Sequence, residues 1–104
     1  MTDGEEMEPI TKQEKCDRLC ELIAQINDPR DVANLFEDLC TKKEVESMAE
    51  RLHAAKLLIE GNTYNQVMAQ ADISSATLSR VSRCVQYGNG YSRLLRQTSA
   101  AADE

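Results

Sequence analysis

The stretch from Gly61 to Arg96 holds four arginines, Arg80, Arg83, Arg93 and Arg96, against one acid, Asp72. Within it lies the run Ser75-Ala76-Thr77-Leu78-Ser79-Arg80, in which small hydroxyl and methyl groups are followed by a guanidinium. Wound into a helix, Ser75, Ala76, Thr77 and Ser79 point away from the side that carries Leu78 and Val81. Such groups suit the edges of base pairs. Methyls meet thymine methyls, hydroxyls bond base edges or phosphates, and arginine pairs with guanine or phosphate. The N-terminus of a helix adds its own attraction for phosphate. Each residue taken singly also reads as a cap or a solvated position. Their combination with the one basic stretch of the chain favours duplex DNA.

Other chemistries find less support. Cys16, Cys20, Cys40 and Cys84 form no C-x-x-C pair, and His53, the single histidine, supplies no second ligand type nearby. Cys16 and Cys20 share a helical face, so a zinc site is conceivable in principle, but small side chains buried on apolar stripes are the simpler expectation. Neither a metal nor a disulfide is therefore expected. His53 stands beside Leu52 and Ala54 and reads as a packing or capping residue. No nucleophile with an adjacent base is present, so the chain is not read as an enzyme.

The 104 residues, 41% hydrophobic and 29% charged, are enough for one folded domain and too few for two. One Phe, three Tyr and no Trp make the core aliphatic, and its stability modest unless a second copy contributes. The formal net charge of −6 argues on average against nucleic acid. Its distribution does not. Residues 1–30 carry eight acids and four bases, residues 31–60 seven and four, and residues 61–96 are net +3. The acidic segments would repel DNA wherever they approach it, which helps to orient a complex. Met1 to Glu8 is acidic with no apolar core, unlike a secretory leader, and no apolar run is long enough to span a bilayer. A cytoplasmic protein without a membrane partner is the expectation.

Glycine and proline punctuate helices only. A first helix is expected from about Thr11 to Ile26, with Cys16, Leu19, Cys20, Ile23 and Ile26 as its apolar stripe. Asp28 and Pro29 restart the chain into a second helix that buries Val32, Leu35, Phe36 and Leu39. Thr41 and Glu44 form a capping box before a third, whose stripe is Val45, Met48, Ala49, Leu52, Ala55, Leu58 and Ile59. Gly61 ends it in the left-handed conformation. Thr63 and Gln66 cap a two-turn helix carrying Val67, Met68 and Ala71. Asp72 falls where a tight turn favours a left-handed residue, Ile73 packs into the angle, and Ser74 or Ser75 caps a final helix with Leu78, Val81 and Val85 inward. Two short helices about a four-residue turn describe a helix-turn-helix, over about 63–87. The whole reads as one helical domain over 11–96, with loosely ordered ends at 1–10 and 97–104.

From about Asp28 to Leu95 the sequence resembles the Trp repressor superfamily, and within it the YerC/YecD-type branch. The resemblance rests on Leu35-Phe36-Glu37-Asp38-Leu39-Cys40-Thr41, Glu44-Val45-Glu46-Ser47-Met48-Ala49-Glu50-Arg51-Leu52 and Leu58-Ile59-Glu60-Gly61-Asn62-Thr63-Tyr64. It continues in Ala76-Thr77-Leu78-Ser79-Arg80-Val81 and Tyr87-Gly88-Asn89. It implies a six-helix protomer intertwined with a second copy in a homodimer, whose helix-turn-helix units meet successive major grooves about 34–36 Å apart. Carried over by position, the DNA face includes Asn65, Gln66 and Ala69, then Ser75, Ala76, Thr77, Ser79 and Arg83, with Arg80 beside them. Asn65 and Gln66 can read adenine or hold phosphate.

The resemblance also implies a corepressor pocket made by Thr41, Arg51 and Arg80, in which an indole would lie between the two arginines. The glycine that follows the second arginine in the tryptophan-sensing repressor is Val81 here, and the turn of the motif is one residue shorter. A valine would fill space that the ring needs, which weighs against tryptophan while leaving another small-molecule corepressor open. The function expected is that of a sequence-specific, dimeric DNA-binding regulator, a repressor by analogy. The alternative is a helical protein-interaction module that keeps the fold without binding DNA.

Overall fold

The computed structural model describes residues 8–96, which form helices and turns without a strand. The helices are α1 (Lys12–Gln25), α2 (Pro29–Leu39), α3 (Lys42–Ile59), α4 (Tyr64–Gln70) and α5 (Ser75–Tyr87). A further helical segment, α6, covers 91–96. This is the all-α, six-helix order expected. The loose ends expected at 1–10 and 97–104 lie outside the described residues, apart from residues 8–10. The chain packs as two compact units that divide between Leu39 and Cys40.

In the first unit both helices begin as their sequences require. Thr11 caps α1, its Oγ1 accepting from the Glu14 N–H at 3.0 Å while the Glu14 carboxylate accepts from the Thr11 N–H at 2.8 Å. At α2, Asp28 Oδ1 accepts from the Arg30 N–H at 2.9 Å, and Pro29 occupies the first helical position. Neither helix buries a side chain completely. Val32, Leu35, Phe36, Ile23 and Ile26 are half-buried, whereas Cys16, Leu19, Cys20 and Leu39 are exposed. The apolar stripes are where the periodicity puts them, but their residues are covered only in part.

The second unit holds the core. Ala54, Ala55 and Leu57 of α3, Val67 of α4, Ala71 just after it, and Leu78 and Val81 of α5 are buried together, with Leu58, Ile73, Val85, Tyr91 and Leu95 packed around them. The stripe expected on α3 is borne out at Ala55 and Leu58 and needs correction elsewhere. The face turned inward carries Ala54 and Leu57, and Ala49 and Leu52 are left exposed. Both patterns fit a period of 3.6, because α3 is apolar on more than one side. Small residues at 54 and 55 let α4 and α5 approach the helix closely. Met68 is exposed rather than part of the stripe, and His53 is exposed rather than packed. None of the four thiols is fully buried: Cys16 and Cys20 are exposed, and Cys40 and Cys84 are partly covered. The expectation of buried cysteines fails within the protomer, whose apolar stripes are likewise covered only in part.

Backbone accounting explains the junctions. Thr41 and Glu44 exchange both bonds of their capping box. After α3, Gly61 has φ 99°, its N–H bonds the Leu58 carbonyl and the Asn62 N–H bonds the Leu57 carbonyl, which is the paired pattern of a Schellman end. Gly61 is the one described residue with positive φ, so the left-handed conformation expected at Asp72 is not adopted. Ala71 and Ser74 are both extended, and the turn from α4 to α5 needs no left-handed residue.

Gly88 is required for a different reason. A β-carbon there would lie 2.7 Å from the Cys84 carbonyl oxygen, which is backbone and cannot swing aside. Gly88→Ala should therefore cost about 1–3 kcal/mol in urea or thermal unfolding. Gly90→Ala, whose β-carbon meets nothing within 4 Å, should stay within about 0.5 kcal/mol of the parent. Equal effects of the two substitutions would refute this account of Gly88. Beyond it, the Ser92 hydroxyl donates to the Val85 carbonyl and ties α6 back to α5.

Candidate nucleic-acid interface

The Thr63 hydroxyl accepts from the Gln66 N–H at 3.2 Å, and Gln66 Oε1 accepts from the Thr63 N–H at 2.7 Å. This starts α4, a helix of only seven residues that could not persist without tertiary support. Val67 and Ala71 anchor it to the core beside α3. At α5, Ser74 is the cap: its Oγ accepts from the Thr77 N–H at 3.1 Å and donates to Thr77 Oγ1 at 2.9 Å. Leu78 and Val81, fully buried, hold the inner face of α5. The turn between the helices is tied to α3 by the Asp72 N–H, which donates to Glu50 Oε1 at 3.0 Å. Sequence reasoning gave Glu50 no role. It is an ordinary exposed-type residue on a helix, and only the tertiary approach of the turn makes it an acceptor.

The residues expected to meet DNA are brought to this unit, with differences in what each can offer. Ser75, Ala76, Ser79, Arg80 and Arg83 are exposed on α5, and Asn65, Gln66 and Ala69 are exposed on α4. Thr77 is half-buried, and its hydroxyl is engaged with Ser74, so the residue serves the cap as well as any groove contact. The Gln66 side-chain oxygen is taken by the capping box, leaving its NH2 as a donor. The NH2 can donate to a phosphate, and the second lone pair of the oxygen keeps the paired contact with adenine available as well. Tyr64, not among the expected residues, reaches from the start of α4 to α5. Its hydroxyl lies 2.7 Å from the Ser75 carbonyl oxygen and 2.8 Å from Ser79 Oγ. A tyrosine directly after an N-cap threonine carries no periodic signal for such a contact, which spans 15 positions.

Arg51 and Arg80 border the same cavity, of about 260 Å³, with Val81, Cys84 and Tyr91. Thr41 is not among its walls. It caps α3 ten residues before Arg51, about 15 Å along the helix. The two guanidiniums fit an anionic group such as a carboxylate. Val81, which stands where the tryptophan-sensing repressor has glycine, is one of the cavity's walls. No helix among the described residues is long and apolar enough to cross a membrane.

Two short helices set at a tight turn against a longer supporting helix, within an all-helical chain, define a helix-turn-helix protein. The comparisons narrow the class. The model of the Trp repressor protein family matches residues 14–99. The chain is 44% identical over 73 residues to the uncharacterized protein YerC of Bacillus subtilis (strain 168), a match covering 70% of each chain. It superposes with a TM-score of 0.76 on the crystal structure of a candidate Trp repressor from Staphylococcus aureus, 32% identical, covering 86% of this chain and 96% of that one. A TrpR-like protein from Eubacterium eligens ATCC 27750 gives a TM-score of 0.78 at 35% identity, covering 85% and 92%. The chain belongs to the Trp repressor family.

Proposed function

We propose that this protein is a homodimeric, sequence-specific DNA-binding transcriptional regulator, a repressor, that presents the N-terminal half of α5 to the major groove. One observation carries the reading. Ser75, Ala76, Ser79 and Arg83 are exposed on a helix whose opposite face, Leu78 and Val81, is locked into the core. The helix can therefore enter a groove without exposing apolar surface, as a recognition helix does. Asn65, Gln66 and Ala69 of α4 lie where the first helix of such a motif crosses the backbone. Arg80 and Arg83 supply phosphate contacts, and Thr77 and Ser79 the base contacts.

Dimerisation is supported by the apolar residues the protomer leaves uncovered: Leu19 and Leu22 on α1, Leu39 at the end of α2, Leu52 on α3 and Leu94 on α6. The test of the reading is selection from a random duplex pool at about 50–100 mM salt, where specific binders still hold. Enrichment of a sequence with two half-sites one helical turn apart is the expected result. If no sequence is enriched, the DNA reading falls and the fold serves protein interaction instead.

The Arg51–Arg80 cavity does not act as a tryptophan sensor in this reading. Millimolar tryptophan should leave the melting temperature unchanged, whereas a ligand present at a hundred times its dissociation constant would add about 2.7 kcal/mol, a shift of several degrees. A clear upward shift with tryptophan would show that Val81 leaves room for the ring after all.

A further inference from the structure

The two bonds of the Tyr64 hydroxyl have a direction that the chemistry of the groups fixes. A backbone carbonyl can only accept, and a phenol has one proton. At 2.7 Å from the Ser75 carbonyl oxygen, the Tyr64 O–H donates there. At 2.8 Å from Ser79 Oγ it must then accept, so the Ser79 proton points back to Tyr64. A serine hydroxyl alone rotates freely and is donor or acceptor as its surroundings demand. Here the proton is committed, and the exposed side of Ser79 Oγ carries only lone pairs.

In the major groove the base-edge donors are the exocyclic amino groups of adenine and cytosine, while guanine and thymine present O6 and O4 as acceptors at the corresponding places. We infer that Tyr64 is a specificity-determining residue: by holding the proton of Ser79 it makes that serine an acceptor-only reader, which selects an amino-bearing base, adenine or cytosine, at the position Ser79 faces. The inference rests on the proposal that α5 enters the major groove. It assigns Tyr64 a positioning role, since the phenol acts through Ser79 and does not itself meet the base.

The experiment compares the wild-type protein, Tyr64→Phe, Ser79→Ala and the double variant on the site recovered by duplex selection, with all four base pairs tested at each position. At one position per half-site the wild-type protein should prefer adenine or cytosine over guanine or thymine by about three- to tenfold, the range of one net hydrogen bond. Tyr64→Phe frees the serine to rotate and should flatten that preference at the same position and no other. The double variant should behave as Ser79→Ala alone, because the phenol has nothing left to act through.

An undiminished preference in Tyr64→Phe overturns the inference. So does a loss of binding that Tyr64→Phe imposes equally on all sequences and in the Ser79→Ala background. Should Tyr64→Phe fail to fold, the wild-type protein is titrated with a site whose selected base lacks its exocyclic amino group. The same three- to tenfold loss is expected for wild type and none for Ser79→Ala, and equal binding of the two duplexes by wild type refutes the acceptor. If the wild-type protein recovers no sequence at all, the groove reading fails and the inference with it, an outcome distinct from a site that Tyr64 does not influence.

Discussion

Leu52→Glu should turn the protein into a monomer and lower its melting temperature steeply. Leu52 lies on α3, is 49% exposed in the protomer, and lines an open apolar groove of about 470 Å³ with Cys84, Tyr91, Leu94 and Leu95. Covering a leucine stabilises by about 1.5–3 kcal/mol, and a buried glutamate adds the cost of desolvating its charge. In a two-fold interface each substitution counts twice. The expected loss is at least about 3–6 kcal/mol, or about 10²–10⁴ in the dimer dissociation constant. Sedimentation equilibrium across a dilution series reads this directly. A wild-type protein that sediments as a monomer at micromolar concentration, or a Leu52→Glu variant that stays dimeric, would remove this face from any interface.

Ala76→Glu should abolish specific DNA binding while leaving the fold as stable as before or slightly more so. Ala76 is exposed in the first turn of α5, and no acid occupies that turn. A carboxylate there interacts favourably with the positive end of the helix dipole, worth about 0.3–1 kcal/mol. Against a duplex the same charge faces phosphates and base acceptors, and like charges brought together cost several kcal/mol. With one copy of α5 in each half-site, a loss of at least about a hundredfold is expected. Ala76→Gln, of the same size without the charge, should lose much less. Fluorescence anisotropy on the selected site, paired with thermal melts, separates the two effects. Binding by Ala76→Glu within a few-fold of wild type would mean that α5 does not face DNA. Position 76 is a cleaner test than 77, because Thr77 is half-buried and its hydroxyl is engaged with the Ser74 cap.

The helix starts and stops were legible because they are local. Thr41 with Glu44, Thr63 with Gln66, Pro29 after Asp28 and the positive φ of Gly61 each involve neighbours within a few positions, and backbone groups left orphaned at a helix end admit few solutions. The exposed set on α4 and α5 was legible too, since Leu78 and Val81 leave Ser75, Ala76 and Ser79 no other side. What could not be read was which of two apolar faces of α3 the protomer buries. Ala54 and Leu57 on one side and Ala49 and Leu52 on the other satisfy the same period, and only the placement of α4 and α5 distinguishes them.

The amino-acid sequence by itself determined five helices with their starts and stops, a helix-turn-helix, and a basic segment of small polar residues within an acidic chain; the sixth helix was implied by the family resemblance alone. Those properties follow from period, composition and hydrogen bonds that close within one turn. The tertiary structure alone decided that the turn at Asp72 has no left-handed residue and is held by Glu50, that Arg51 and Arg80 share a cavity walled by Val81 and Tyr91, and that Tyr64 reaches Ser79. Each of these joins groups far apart along the chain. Their partners depend on how helices approach one another, and no local rule specifies that distance.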